Sequence, residues 1–347
     1  MFEAIVTLCL FLDGEHCRDQ LLPGFEADTR AECMAALEAR PPDLSFPEGA
    51  VQKGAPTCKD VGQSLNFEEV APGVFVHHGR IEEPDPKNAG DVSNIGFVIG
   101  DRGVAVIDSG TARWMGEAIW RSIRMRTEKP VSDVILTHMH PDHVLGASVF
   151  AEAGAHIHGH AGLSRALADR RENYLESLLR LIGPQAFIGS ATPVVTHSVE
   201  AERVIDIGQR SLTLTPWPIA HTPNDLTVVD DATGTLFAGD LVFHRHAPAL
   251  DGSLLGWTTV LDTLGQLDVA RVVTGHGGPV LDWPEGAADT RRYLETLLSE
   301  TRMSVEAGER LGEAVLHIAQ KEATRWELFE AYNSRNATVA FTELEWE

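Results

Sequence analysis

The run Thr137-His138-Met139-His140-Pro141-Asp142-His143 packs three imidazoles and a carboxylate into one short segment. It directly follows the apolar stretch Val134 to Leu136, which reads as a buried strand. Side chains alternate along an extended chain, so His138 and His140 should point to one side. Pro141 stops the strand, and Asp142 is placed to open a helix over Val144 to Phe150. Two imidazoles at one point, with a carboxylate and a third imidazole beside them, make two adjacent metal half-sites. Nitrogen and oxygen donors of this kind suit zinc, with iron or manganese as alternatives.

Two half-sites need ligands from elsewhere, and three residues stand at strand-to-loop boundaries where they could supply them. His221 follows a strand ending at Ile219, in Ala220-His221-Thr222-Pro223. Asp240 follows one ending at Phe237-Ala238, and His276 lies in Thr274-Gly275-His276-Gly277 after Val272-Val273. The glycines beside Asp240 and His276 allow sharp backbone turns near a metal.

The elements that must position these residues are legible in outline. Val70, Val74 and Val76 flank Pro72-Gly73 as strand, turn and strand, and Asn94 to Ile99 and Val104 to Ile107 bracket a Gly100 to Gly103 turn. Ala112 to Met125 has the apolar spacing of an amphipathic helix. A second half repeats the plan, with strands at Val204 to Ile207, Leu212 to Ile219, Leu226 to Val229 and Thr235 to Ala238 and a helix at Val260 to Leu267. Two strand-rich halves with interspersed helices predict an α/β (α+β) fold, a four-layer αββα sandwich. Thr301 to Asn333 reads as a helical tail. Before all this, residues 1 to about 62 hold a helical pattern at Thr29 to Ala39 and a Pro/Gly-rich linker at Pro41 to Gly54. The expected division is 1–62, 63–300 and 301–347.

The order HxHxDH, His-Thr-Pro, Gly-Asp, Gly-His-Gly resembles the metallo-β-lactamase superfamily over about Phe67 to Pro284. Within it, the cysteine-bearing start and the ending NATVAFTELEWE resemble the quinoprotein-relay zinc metallohydrolases. That resemblance implies a periplasmic setting, with a quinoprotein dehydrogenase as partner and the substrate left open. It also implies that His138, His140 and His221 hold one Zn2+, that Asp142, His143 and His276 hold the other, and that Asp240 bridges. A bridging carboxylate departs from many true β-lactamases and is similar to glyoxalase II and related thioesterases. The implied activity is hydrolysis of an ester, thioester or lactone carbonyl by a metal-bridging hydroxide, formed because bound water is acidified to a pKa of about 7. Asp142 is the catalytic candidate, orienting that hydroxide.

Further residues are expected around this centre. Asp108, in Ile107-Asp108-Ser109-Gly110, stands where the family places a carboxylate that fixes a ligand histidine; capping the following helix is its other reading. Thr137 and Thr222 adjoin ligands and are candidate hydrogen-bond donors to them. Arg245 and His246, on the loop after Asp240, are candidates for the substrate pocket, Arg245 as a clamp for a carboxylate. Trp257 is assigned to the core, and His77 and His78 to the surface. His156, His158 and His160 share one strand face, but no carboxylate or cysteine accompanies them in the sequence, so they are not read as ligands.

Three rivals remain at this stage. An iron persulfide dioxygenase needs only His138, His221 and Asp240. A flavodiiron-type oxidoreductase has a carboxylate where His140 stands. A non-catalytic accessory factor would use the metals structurally.

Composition narrows the partners. The 347 residues carry a formal charge of −23, which repels phosphate backbones and disfavours nucleic acid, leaving a small-molecule substrate. No stretch approaches the roughly 18 to 20 apolar residues that span a bilayer, so no membrane insertion is expected. All four cysteines, Cys9, Cys17, Cys33 and Cys58, lie near the start, without CxxC spacing, which favours two disulfides of unspecified pairing over a zinc ribbon. Disulfides suit the periplasm. Met1 to Leu12 lacks the basic start of a secretion signal, which keeps a cytoplasmic location as the alternative.

Overall fold

The computed structural model describes residues 1–44, 46–47 and 49–346. The chain opens with a small sheet of its own: β1 (Phe2–Phe11), β2 (Glu15–Ala27) and β3 (Val51–Asp60), in the order β2-β1-β3. Helix α1 (Arg30–Ala39) lies between β2 and β3 and starts at Thr29, whose hydroxyl accepts from Glu32 N while the Glu32 carboxylate accepts from Thr29 N. That reciprocal cap satisfies two backbone donors that a helix start leaves open. The predicted linker Pro41 to Gly54 is shorter than expected, because β3 already begins at Val51. Cys9 and Cys17 face each other across β1 and β2 and are joined, and Cys33 of α1 is joined to Cys58 of β3. Ala4, Val6, Leu22, Phe25 and Leu37 pack around the second bridge as a separate miniature core.

Two larger sheets follow. The first comprises β4 (Glu68–Ala71), β5 (Val74–His77), β6 (Ile95–Ile99), β7 (Val104–Ile107), β8 (Val131–Leu136), β9 (His156–His160) and β10 (His197–Val199), in the order β10-β9-β8-β7-β6-β5-β4. Helix α2 (Arg113–Arg124) connects β7 to the parallel β8. The short helices α3 (Pro141–Val144) and α4 (Ser148–Glu152) lead to β9, and α5 (Leu163–Phe187) leads to β10. The second sheet runs β11 (Arg203–Asp206), β12 (Ser211–Pro216), β13 (Leu226–Asp230), β14 (Thr235–Phe237), β15 (Arg271–Val273) and β16 (Leu281–Asp282) in sequence order. Helix α6 (Leu254–Leu264) precedes β15, and α7 (Ala288–Glu306), α8 (Leu311–Ala314) and α9 (Phe329–Leu344) end the chain.

The period-two alternation of the strands sorts their side chains into layers. Ala105, Ile107 and Ile135 meet Leu212, Leu214, Val228 and Phe237 between the sheets. The alternate residues Val104, Val106, Val134 and Leu136 turn outward against Met115 and Ile119 of α2 and Leu163 and Leu167 of α5. On the far side Leu236 and Val272 meet Leu254, Trp257 and Leu261 of α6, Tyr293, Leu294 and Leu297 of α7, and Phe341 of α9. The architecture is therefore the expected αββα sandwich with a helical C-terminal tail. Trp257 is fully buried there, as expected. His77 is not a surface residue: it is buried, with its ring between Asn66 O (2.9 Å) and Asp91 Oδ1 (2.7 Å). Half-buried His78 sits beside it.

The small N-terminal sheet docks on α2 through a buried ionic cluster. Glu117 receives Arg18 Nη1 (2.8 Å) and Arg113 Nε (3.2 Å), while Arg121 Nη2 reaches Glu3 Oε1 (2.7 Å). Arg113 Nη2 also donates to Leu21 O (2.9 Å) of β2. Burial alone would raise the Glu117 pKa, but Arg18, Arg113 and Arg121 outweigh it and hold the carboxyl below its ordinary value. A carboxyl depressed in the fold stabilises fully above its unfolded pKa, and that stabilisation is lost as pH falls through the folded value. Glu117→Ala should thus destabilise by about 3–5 kcal/mol at pH 7, because it leaves buried guanidinium groups unpaired. Denaturant titration should show the gap from wild type narrowing once the pH drops below about 4.5, the ordinary glutamate value. An equal gap at pH 7 and pH 3 would contradict this account of the docking.

Candidate metal centre

The predicted ligands come from strand ends at one rim of the sandwich. His138, His140, Asp142 and His143 follow β8 in the first sheet, Asp240 follows β14 and His276 follows β15 in the second, and His221 lies in the loop from β12 to β13. β14 and β15 are adjacent and parallel, so Asp240 and His276 leave the sheet side by side. The local structure after β8 differs from the expected helix at Val144 to Phe150. His140 is the N-cap and Pro141 the first residue of α3, which ends at Val144 before α4 begins. Proline fits there because the first helical N–H has no partner in any case, and the stop brings Asp142 and His143 back toward His138.

Two clusters result. In one, His138 Nε2 and His221 Nε2 each stand 3.1 Å from His140 Nδ1, and the three rings are near-perpendicular with centroids 4.8 Å apart. Asp240 Oδ2 closes this group at 3.4 Å from His221 Nε2 and 3.7 Å from His138 Nε2. In the other, His276 Nε2 lies 3.2 Å from Asp142 Oδ2 and 3.4 Å from His143 Nε2. Asp240 reaches this group as well, with Oδ1 at 3.2 Å from His143 Nε2. Donor atoms about 3.3 Å apart are what a tetrahedral ion with bonds of about 2.0–2.1 Å requires.

Each imidazole is aimed by a bond at its other nitrogen, the arrangement that fixes tautomer and orientation in metal sites. His138 Nδ1 meets Thr137 Oγ1 (3.0 Å), His140 Nε2 meets Asp251 Oδ2 (3.2 Å), and His221 Nδ1 meets Ala249 O (2.6 Å). His143 Nδ1 meets Asp108 Oδ2 (2.8 Å), and His276 Nδ1 meets Val92 O (2.9 Å). Asp108 sits at φ +59° and also accepts from Thr137 N (2.8 Å) and Thr137 Oγ1 (2.9 Å), so one carboxylate orders both ends of the HxHxDH segment. The cap of α2 is Ala112, without a side-chain bond, which leaves no capping role to Asp108. Gly275 is needed for close approach: a Cβ there would stand 1.9 Å from Asp240 Oδ1.

The electrostatics call for positive charge. Burial alone would lower the pKa of both His143 and His276. Asp240 and Asp142 outweigh it, holding His143 well above its usual range and His276 at about 10. Those same imidazoles hold the Asp142 and Asp240 carboxyls low against the burial that would raise them. Asp240 Oδ1 is buried and accepts no hydrogen bond. A cation at each cluster would satisfy that oxygen and take the place of the protons, so the residues present fit a pair of metal ions.

The remaining expected residues divide. Thr137 touches His138, but its one hydroxyl proton goes to Asp108, so it accepts from His138 Nδ1 where a donor was expected. The Thr222 hydroxyl instead donates to Asp225 Oδ1 (2.6 Å) and shapes the His221 loop without touching a ligand ring. Arg245 is a correction: its side chain is exposed and paired with Glu327, away from the centre, so it clamps nothing there. His246 is buried with its ring 4.7 Å from that of His276. Asp251 went unread. It bonds His140 and is gripped by Arg170 Nη1 (2.7 Å) of α5, a contact made only by the tertiary fold.

An αββα sandwich with a His/Asp centre on its rim defines a class of metal-dependent hydrolases. Residues 89–276 match the profile of the metallo-β-lactamase superfamily, and the chain belongs to that family. A curated relative, the uncharacterized protein YobT of Bacillus subtilis, is 28% identical over 131 residues, 36% of this chain. The match spans about half, 52%, of that relative's length. The fold is similar to a metallo-β-lactamase from Pontibacter korlensis (TM-score 0.54, 20% identity, 67% of this chain and 99% of that one). It is also similar to the stereoselective inverting sec-alkylsulfatase Pisa1 from Pseudomonas sp. (TM-score 0.62, 18% identity, 80% and 50%).

Asp108 offers a test of the centre's construction. Asp108→Ala should weaken metal binding by about 10- to 100-fold, as loss of an orienting carboxylate does in other sites. Competition with a chelator of known affinity measures this, and unchanged affinity would mean that Asp108 does not hold His143.

Proposed function

We propose that the chain is a two-metal hydrolase, most simply with zinc, that cleaves a small ester, thioester or lactone. The observation that carries this reading is Asp240, whose two oxygens face two complete donor sets. His138, His140 and His221 would hold one ion, and Asp142, His143 and His276 the other, with Asp240 between. Bound there, the ions would supply hydroxide at neutral pH by lowering the pKa of water to about 7, and would polarise the substrate carbonyl. Asp142 would accept a hydrogen bond from that hydroxide and so aim its lone pair; the Asp142 carbonyl, held by Ser93 Oγ at 2.5 Å, keeps that segment in place. Asp251 and Arg170 hold His140 from outside. A persulfide dioxygenase would use only His138, His221 and Asp240. The equally complete set at Asp142, His143 and His276 supports the two-metal reading over it.

The setting is part of the same proposal. Two disulfides suit an oxidising compartment such as the periplasm. Partnership with a quinoprotein dehydrogenase rests on the resemblance of the chain's two ends. No helix among the described residues is long and apolar enough to cross a membrane.

A screen of the zinc-loaded protein against thioesters, lactones, carboxylic and sulfate esters and β-lactams should find turnover among the first three. On the best substrate, Asp142→Asn should lower kcat by about 10²- to 10⁴-fold, the usual worth of a positioned acid–base group, with KM little changed. Such a loss is confined to the transition state. Full activity in Asp142→Asn with both metals bound would remove Asp142 from the mechanism.

A further inference from the structure

A second histidine cluster lies on the face of the first sheet that looks toward the other sheet, beside the middle of β8 and short of the metal centre at that strand's end. His156 and His158 share that face of β9 by the alternation of the strand. β10 sets His197 directly opposite His158, and β8 sets Asp133 opposite His156. One ring nitrogen from each of the three histidines lies within 4.8 Å of the others. The ring centroids of His156 and His158 stand 4.5 and 4.9 Å from that of His197. In the sequence these histidines have no acidic neighbour. Strand pairing provides one.

His158 carries the argument. It is 1% exposed, and its Nε2 meets Asp133 Oδ1 at 2.7 Å. The carboxylate accepts the Nε2–H hydrogen bond, which places the proton of the neutral ring on Nε2 and leaves Nδ1 as a bare lone pair. That Nδ1 is buried and has no hydrogen-bond partner. Buried polar atoms are nearly always satisfied, so an orphaned one points to a missing partner. A carboxylate–histidine pair whose other nitrogen is free is the arrangement by which proteins prepare a histidine for a metal. His156 Nδ1 lies 3.7 Å from the same Asp133 oxygen, and the exposed side of the cluster, at His156 and His197, gives an ion access. Three imidazoles within reach of one another suit zinc, copper or nickel rather than magnesium or calcium.

The geometry points to a separate metal site formed by His156, His158 and His197, with Asp133 orienting His158, that takes one divalent transition-metal cation of the zinc class. Its donors, all within 4.8 Å of one another, would settle at about 3.3 Å, the spacing set by bonds of about 2.0–2.1 Å. The half-exposed His197 and the exposed His156 are free to make that adjustment. Asp133 and Ile135, the β8 partners of His156 and His158, stand five and three positions before His138, roughly 16 and 10 Å at 3.3 Å per residue, and the two sites share no ligand. An ion there would join β9 to the three-residue edge strand β10.

Zn2+ is the probe. The full chain, with its rim centre already loaded, should bind one further Zn2+ per chain in a calorimetric titration checked by elemental analysis. His156→Ala and His197→Ala should each lose that equivalent or weaken it by at least about tenfold, and Asp133→Asn should weaken it by about 10- to 100-fold. Added Zn2+ should raise the Tm of the loaded wild type and not that of the two alanine variants. His156 is exposed, so its variant stays a fair test even if a change at His158 or His197 disturbs folding. No further equivalent in the wild type, or the same equivalent with the same affinity in His156→Ala and His197→Ala, would overturn the site.

Discussion

A buried carboxylate with one oxygen lacking any hydrogen bond destabilises a fold unless a cation answers it. Asp240 is such a group. It stands between two sets of imidazole nitrogens that are each turned inward by a bond on their far side. Most of the architecture around the rim serves that convergence. The parallel pair β14 and β15 delivers Asp240 and His276 together, and Leu226 N donating to Thr137 O at 2.7 Å ties the second sheet to the HxHxDH segment of the first. Asn94 fixes the turn around His276 by donating to Thr274 O and Gly277 O. Glycine stands at 275 because any side chain would collide with the carboxylate.

The same economy of bonds extends outward. Asp108 holds His143 while ordering the backbone ahead of His138, and Asp251 holds His140 while anchoring Arg170 of the long helix α5. These outer groups restrict the rings to orientations that suit a metal ion. The ionic cluster at Glu117 is a separate device that seats the disulfide-bonded N-terminal sheet on α2, on the helical side of the first sheet.

Much of this was legible in the sequence, for physical reasons. The seven metal-binding candidates lie in segments that follow strands, after apolar runs that stop at Gly, Pro or His, and local pattern suffices to find such boundaries. What local pattern could not provide was anything set by pairing between distant strands. Asp251 meets His140 across 111 residues, and Asp133 joins His158 only because β8 and β9 are neighbours. Arg245 looked like a substrate clamp because it follows Asp240 closely, yet the chain turns at φ +63° there and sends the side chain outward to Glu327. Helix α5 was missed for another reason. Its buried positions Leu163, Leu167, Leu178 and Ile182 are sparse along 25 residues, so the apolar stripe is weak. Strands β1 and β2 were not legible because β1 is buried in continuous runs without period-two alternation and β2 carries Pro23-Gly24 inside its apolar end.

The central claim is that Asp240 lies between two metal ions. Anomalous X-ray scattering at the zinc edge, from crystals of the zinc-loaded protein, tests it most directly. The account predicts two peaks at the rim of each chain, about 3.5–4 Å apart as in other two-metal sites. One should lie among His138, His140 and His221 and the other among Asp142, His143 and His276, with Asp240 touching both. A single rim peak in zinc-replete protein, or a pair not shared by Asp240, would contradict it.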